Sequence, residues 1–452
     1  MCQTSASVPL VSERPLSPFE KVIWRLNRAA PSNVVIIAQV RGALEKDMLR
    51  RALDGIAARH PLLQTRVISV GGAPPAYQRT DQPLPLRVID VDVKDCTSCI
   101  ENELNHPLHA EDGPMARCVL LRNTAGCQHV LLTVHHLIGD GLSATFLIRE
   151  LLEIATDARA RIEMRTLHLT DAVPIDLRLP ASARNLHGAW KSLRFILHRA
   201  TEMIGSNPPA RIRADVDALP SARKNRLVSQ HFDASFTAAL IARAKTERVS
   251  VHAALSAAIC LNTVQELGAQ TAVSIKHRTP VDMRAQLDPP AGDDIGMFAS
   301  MAFYRGHLTG DEDFWSVARD IRAQINAEIT HGTPATVVNL APKLFCLLGA
   351  DRLTDTQLTK RWLDRNRTTT GLTNLGRIDF PKSFGRLQLE KLYFAVSPAA
   401  LGDFTCTAVT FDGRLFWNFM LPEPTFSPQR RADFAKDTVS CLRNALALPE
   451  GA

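Results

Sequence analysis

The chain has 452 residues, 45% hydrophobic and 22% charged, and a formal net charge of +7 at pH 7. That length exceeds one ordinary hydrophobic core and sets two domains as the expectation, while no apolar run reaches the roughly 18 residues that a membrane-spanning helix needs. Nine cysteines, an odd number scattered from Cys2 to Cys441, do not suggest a disulfide framework.

Taken in order, the start at Met1-Cys2-Gln3-Thr4-Ser5 lacks a basic segment followed by an apolar one, so no secretory signal is expected and a cytoplasmic location is. Ser17-Pro18-Phe19-Glu20 reads as a helix start, with Ser17 as cap and Pro18 at the first helical position. Residues 34–40 form a β-branched run that reads as a strand, and 45–58 follow with helical spacing through Leu49, Leu53 and Ile56 until His60-Pro61 stops them. Residues 63–70 and 86–91 read as strands around the turn cluster Gly71 to Pro75. Cys96 and Cys99 with His106 and His109 imitate a zinc spacing, but the gap between the pairs is too short for a zinc finger, so no metal is expected.

The apolar run Val130-Leu131-Leu132-Thr133-Val134 then leads into His135-His136-Leu137-Ile138-Gly139-Asp140-Gly141, and an amphipathic run over 142–154 follows. This reads as strand, tight loop, helix. Successive strand side chains point to opposite faces, so only one of the two imidazoles can face a given cleft. A neutral imidazole with a pKa near 6.5 is well matched to taking a proton from a hydroxyl or amine as it attacks a carbonyl. Asp140 and Gly141 sit where the loop becomes a helix, so the carboxylate can cap backbone N–H groups or meet a cation. His60 reads as a buried histidine satisfied by backbone.

Beyond the signature, residues 185–204 read as a helix with an apolar stripe through Leu186, Trp190, Leu193 and Leu197. Residues 235–246 and 251–267 read as helices, 272–276 as a strand running into Thr279-Pro280-Val281, and 300–308 as another strand. Residues 404–411 and 415–421 flank the hairpin dipeptide Asp412-Gly413, and 428–448 close the chain as a helix. Positive charge clusters in the middle, at Arg159, Arg161, Arg165, Lys191, Arg194, Arg199, Arg211, Arg213, Arg223, Lys224 and Arg226. A basic surface suits an acidic carrier protein or the phosphates of coenzyme A; nucleic acid is not expected, since no recognisable nucleic-acid-binding pattern accompanies the charge.

The pattern His-His-x-x-x-Asp-Gly at 135–141 resembles the signature of the condensation-domain and chloramphenicol-acetyltransferase-like acyltransferase superfamily. Arg59-His60-Pro61-Leu62-Leu63-Gln64-Thr65 resembles an Arg-His-x-x-Leu-Arg-Thr segment of that family, with Gln64 where Arg is usual. Gly113-Pro114-Met115, Ile295-Gly296-Met297-Phe298 and Thr373-Asn374-Leu375-Gly376 resemble further family segments, the last that of the stand-alone, alcohol-acylating branch. The resemblance implies an α/β fold of two chloramphenicol-acetyltransferase-like sandwich lobes, a pseudo-dimer with an active-site channel between them. On that basis residues 1–165 are expected to form the first lobe, 166–184 a linker and 185–452 the second lobe. It also implies His136 as general base, with His135, Asp140, Gly141 and Arg284 supporting the site and Arg284 pairing with Asp140. Thr373 and Asn374, with the backbone N–H at Gly141, are the implied oxyanion or substrate contacts. No permanently bound cofactor is expected; the co-substrate would be acyl-CoA or a phosphopantetheinyl carrier, the acceptor a hydroxyl, and the protein a monomer in natural-product or lipid biosynthesis. The alternatives are a stand-alone condensation enzyme forming an amide between carrier-bound substrates, and a non-catalytic relative that binds carriers.

Overall fold

A computed structural model of the chain describes residues 14–69, 72–90, 96–122, 127–156, 172–184, 208–268, 270–350, 352–397 and 404–447. The helix expected over 185–204 and the basic residues Arg159, Arg161, Arg165, Lys191, Arg194 and Arg199 lie outside the described residues, and of the expected linker only 172–184 are described.

The first half contains β1 (Arg14–Pro15), α1 (Pro18–Ala29), β2 (Asn33–Arg41), α2 (Lys46–Arg59), β3 (Thr65–Ile68), β4 (Ala76–Arg79), β5 (Leu86–Asp90), α3 (Cys96–Asn105), β6 (Ala116–Arg122), β7 (Cys127–His135) and α4 (Gly141–Ala155). The second half contains β8 (Leu227–His231), α5 (Ala234–Thr246), α6 (Val251–Leu267), β9 (Val273–Asp282), β10 (Ala299–Leu308), α7 (Phe314–Thr330), α8 (Thr333–Leu347), α9 (Asp355–Asn366), β11 (Thr370–Ile378), β12 (Ser383–Phe384), β13 (Leu387–Val396), β14 (Thr405–Phe411), β15 (Arg414–Met420) and α10 (Pro428–Leu446). Two six-stranded mixed sheets result, in the orders β12-β13-β2-β7-β6-β5 and β10-β9-β11-β14-β15-β8, beside a small sheet β1-β4-β3. This is the expected two-lobed α/β architecture.

Local chemistry accounts for most element ends. Ser17 and Glu20 form a reciprocal capping box at α1, and Asp412 and Gly413 both take positive φ in the β14–β15 turn, as a tight hairpin requires. Three expectations need correction. The run 63–70 begins as a 3-10 turn, Pro61–Gln64, because Pro61 opens it; the strand is only Thr65–Ile68. The strand expected to end at 276 continues to Asp282 through Pro280, since β11 pairs with β9 only at His277 and Arg278 and leaves an unpaired edge beyond, where a residue without an N–H is tolerated. The second half also does not keep to one sheet. β13 pairs along the whole length of β2, from Gln388 opposite Arg41 to Val396 opposite Val34, so residues 383–396 belong to the first sheet although the expected boundary assigned them to the second lobe. A central apolar strand such as β2 needs partners on both edges, and β7 covers only one.

The two cores are distinct. In the first, β2 is buried on both faces, against α3 and α4. In the second, α6 is buried from Ala253 to Val264 among β9, β11, α7 and α10. Burial holds His135 at about 3 and His252 at about 4, and His277 well below its ordinary value; His277 donates or accepts only through Nδ1, to Thr370 Oγ1, with Nε2 unpartnered. The unfolded chain therefore takes up protons before the folded one does, and stability should be full above about pH 6.5 and fall as the pH drops toward 4, by up to about 1.4 kcal/mol per pH unit for each such group. Urea denaturation between pH 7 and 4.5 measures this, and His252→Gln should remove its share of the slope; an unchanged slope in that variant would contradict it.

Candidate active site

β7 ends at His135, whose N–H still bonds Met115 O (2.9 Å), and the chain then turns: His136 N–H bonds Ser32 O (3.1 Å) and Ile138 N–H returns to His135 O (3.0 Å). The turn separates the two imidazoles. His135 is buried, and its Nδ1 accepts the Leu137 N–H at 3.0 Å, so the neutral ring carries its proton on Nε2. His136 is half-buried, and its Nδ1 lies 3.0 Å from the carbonyl oxygen of Gly139. A carbonyl only accepts, so Nδ1 carries the proton and the lone pair sits on Nε2, which no described residue bonds. The neighbouring rings are held in opposite tautomers. Burial pushes the His136 pKa below its ordinary value, with the Gly139 carbonyl and Asp140 opposing that shift in part, so the ring is neutral at pH 7.

Asp140 caps α4 by accepting the Ser143 N–H at 2.8 Å. It is buried, and Arg284, 144 residues away, donates to it twice, Nη1 to Oδ2 and Nη2 to Oδ1, both at 3.0 Å. The Phe298 N–H adds a fourth bond at 3.0 Å. Burial alone would raise the carboxyl; the Arg284 guanidinium together with the Ser143 and Phe298 N–H groups outweighs it and holds Asp140 below the usual carboxylate range. For Arg284, burial likewise opposes the charge, and Asp140 and Asp282 more than restore it. The structure thus brings Asp140 and Arg284 together across the two halves.

Ser143 was not singled out in the sequence, yet its hydroxyl accepts from Arg284 Nη2 (2.8 Å) and Gly296 N–H (3.2 Å) and donates to Gly296 O (2.8 Å). The signal available was its place three residues after a capping aspartate. Ile295-Gly296-Met297-Phe298 thereby acquires a physical role, since its backbone grips Asp140 and Ser143. Gly141 faces β11, where an added Cβ would come within 2.9 Å of Leu375 Cδ2. The close approach there is by that side chain. Thr373 and Asn374 are half-buried on the same strand; Asn374 Oδ1 accepts the Gly376 N–H at 2.7 Å, which leaves its amide NH2 as a remaining donor.

His60 departs from expectation. Its Nε2 lies 2.8 Å from the buried carboxylate of Glu150 on α4, because α2 and α4 pack side by side and Glu150 needs a partner there; the partner is a side chain, not the backbone. An interlobe cavity of about 580 Å³ is bordered by His60, Leu62, Ile295 and Phe298. Cys96 and Cys99 lie in α3, and among the described residues no three His, Cys, Asp or Glu side chains are grouped to hold a metal. No helix among the described residues is long and apolar enough to cross a membrane.

Two family models match the chain: a condensation domain over residues 13–172, and the C-terminus of phthiocerol/phthiodiolone dimycocerosyl transferase over 222–417. Tyrocidine synthase 3 of Brevibacillus parabrevis is 29% identical over 144 residues, which is 31% of this chain and 2% of that protein. Cyclosporin synthetase of Tolypocladium inflatum is 26% identical over 287 residues, 63% of this chain and 2% of that protein. The chain thus spans only a few per cent of the length of the curated relatives it matches. Two solved structures share the fold nearly end to end. Polyketide synthase associated protein 5 from Mycobacterium tuberculosis superposes with a TM-score of 0.67 at 18% identity, covering 97% of this chain and 99% of that one. Trichothecene 15-O-acetyltransferase from Fusarium sporotrichioides does so with 0.73 at 14% identity, covering 96% of each.

Proposed function

We propose that the chain, whose two halves match a condensation domain and the C-terminus of a dimycocerosyl transferase, is an acyltransferase of that superfamily that moves an acyl group from a thioester donor to a hydroxyl acceptor by direct attack, with His136 as general base. The observation that carries this reading is the tautomer of His136: a half-buried ring neutral at pH 7, its proton parked on the Gly139 carbonyl side and its Nε2 lone pair unclaimed by the described residues. Such a nitrogen takes the acceptor proton as the oxygen attacks the thioester carbonyl, and returns it to the departing thiolate. Thioesters are already activated, so no covalent enzyme intermediate is needed.

Asp140 acts through the loop. Locked by Arg284, Ser143 and Phe298, it holds the start of α4 and with it the turn that aims His136. Either the Thr373 hydroxyl or the Asn374 amide, which as adjacent strand residues face opposite sides of the strand that reaches Gly141, is the donor we assign to the developing oxyanion or to substrate. The co-substrate is acyl-CoA or a phosphopantetheinyl carrier.

The second reading, amide formation between carrier-bound substrates, is favoured by the condensation-domain match over residues 13–172. Incubating the purified protein with acyl thioesters on coenzyme A and on carrier protein, together with alcohol and amine acceptors, separates the two by mass spectrometry. An ester product is expected. Amide alone would replace the first reading with the second, and no product from any pair would favour a carrier-binding role.

A further inference from the structure

The interlobe cavity bordered by His60, Leu62, Ile295 and Phe298 is also bordered by Arg178, from the segment that joins the two halves. An arginine at a cavity edge ordinarily reaches for solvent, yet Arg178 is only 5% exposed. Its fork is engaged by one loop of the second half. Nε and Nη2 donate to Pro289 O at 3.1 and 2.8 Å, Nη2 also donates to Pro290 O at 2.7 Å, and Nη1 donates to Asp294 Oδ2 at 2.7 Å. The Arg178 carbonyl accepts the Asp288 N–H at 2.8 Å, so backbone and side chain hold the same loop. Two residues earlier, Asp176 accepts the Phe19 N–H at the start of α1 at 3.3 Å. The joining segment is thereby fastened to both halves.

The loop that Arg178 holds is the one that reaches the signature. Residues 288–294 run directly into Ile295-Gly296-Met297-Phe298, whose Gly296 N–H donates to Ser143 Oγ and whose Phe298 N–H donates to Asp140 Oδ2. Arg284 ties the same loop from the other side, its carbonyl accepting the Ala291 N–H at 3.0 Å. Both guanidiniums lie over the Phe298 ring, Arg178 Cζ 5.5 Å and Arg284 Cζ 5.0 Å from its centroid. Carbonyls in an irregular loop have no ladder to join, and a planar fork supplies several donors in fixed directions where an ammonium cannot.

We infer that Arg178 is a positioning residue: it fixes residues 288–298 against the segment between the halves, and so sets where Gly296 and Phe298 hold Ser143 and Asp140 and, through them, where His136 points. The inference rests on the general-base reading above and extends it to a residue whose own hydrogen bonds go to the loop and not to the signature. A misplacement of about 1 Å at the reacting atoms costs about a hundredfold in rate, so a small displacement of the loop is enough for the site to feel it.

Two readouts test this. Arg178→Ala should lower kcat and kcat/KM together by about ten- to a hundredfold, with KM for the thioester unchanged within about twofold, because the loss falls on alignment and not on binding. Free guanidinium ion on the order of 20 mM, far below the molar range in which it denatures, can enter the vacated place from the cavity and should restore part of the rate. Arg178→Lys, which keeps the charge and loses the fork, should lie between the two. The second readout needs no substrate: amide hydrogen exchange at residues 295–298 should quicken by about tenfold or more in both variants, while α6 exchanges as in the wild-type chain. Unchanged exchange at 295–298, an equal quickening in α6, or a lost rate that guanidinium does not restore overturns the inference. Should Arg178→Ala not fold, Arg178→Lys carries the same exchange test. If the wild-type chain transfers no acyl group, exchange alone decides the role of Arg178; unchanged exchange in a variant of an active enzyme overturns that role and leaves acyl transfer standing.

Discussion

Replacing His136 with alanine is expected to lower kcat/KM for acyl transfer by about a hundred- to ten-thousandfold while moving the denaturation midpoint little. The side chain makes one hydrogen bond, to the Gly139 carbonyl, and it is half-buried, so its removal frees a carbonyl that solvent can reach and empties little packed volume. What it removes is the lone pair that takes the acceptor proton. The pH profile gives a second reading of the same group. Burial lowers the His136 pKa, so the acidic limb of kcat/KM should fall below the ordinary imidazole value near 6.5 and should vanish from any residual activity of the variant. Turnover close to wild type in His136→Ala would mean that the proton leaves by another route. An acidic limb above 6.5 would mean that the ring sits near a carboxylate more strongly than the structure places it.

Replacing Arg284 with methionine should cost far more folding stability than His136→Ala does, about 3–5 kcal/mol, because it strands the Asp140 carboxylate in the interior. Two backbone donors, from Ser143 and Phe298, remain, but they do not neutralise a buried charge. Asp140 would then rise in pKa and take a proton, so the deficit should be largest near neutral pH and shrink on acidification. Asp140→Asn in the same background should recover part of the loss, since an amide needs no counter-charge; non-additivity in that double variant is the direct signature of the bridge. Urea denaturation of the single and double variants reads both quantities. A loss under about 1 kcal/mol for Arg284→Met would show the pair to be solvent-screened instead of locked. The activity readout is separate: variants that still fold should lose turnover through a misdirected His136 loop, and the catalytic pH profile of the remainder should keep its shape.

The sequence was most legible where local rules decide the outcome. Ser17 and Glu20 announce α1, the spacing of Leu49, Leu53 and Ile56 announces α2, and Asp412-Gly413 announces its hairpin; in each case the interacting groups lie within a few residues of one another. The continuous apolar run before His135 marks a strand buried on both faces, and alternation along it already says that two adjacent imidazoles cannot share one role. It was least legible where partners come from far along the chain. Nothing in residues 387–396 announces that they complete the first sheet beside β2, since a strand's partner is set by which buried edge is vacant.

His60 is instructive in the same way: burial was foreseeable, but the identity of its partner, Glu150, depends on how α2 lies against α4. Ser143 stayed hidden because a serine in the first turn of a helix is common, and its role appears only once Arg284 and Gly296 arrive from the other half.

By itself, the sequence determined the order of elements around the signature, the two-lobed α/β class, and the presence at one strand end of an imidazole suited to general base chemistry. Only the tertiary structure decided which nitrogen of His136 carries the proton, which donors besides Arg284 hold Asp140, and which side chain closes over Gly141. The division has one physical cause. Propensity, capping and alternation act through bonds among near neighbours and so can be read along the chain, whereas tautomers, buried charge pairs and cavities are set by groups that meet through space after the lobes have packed.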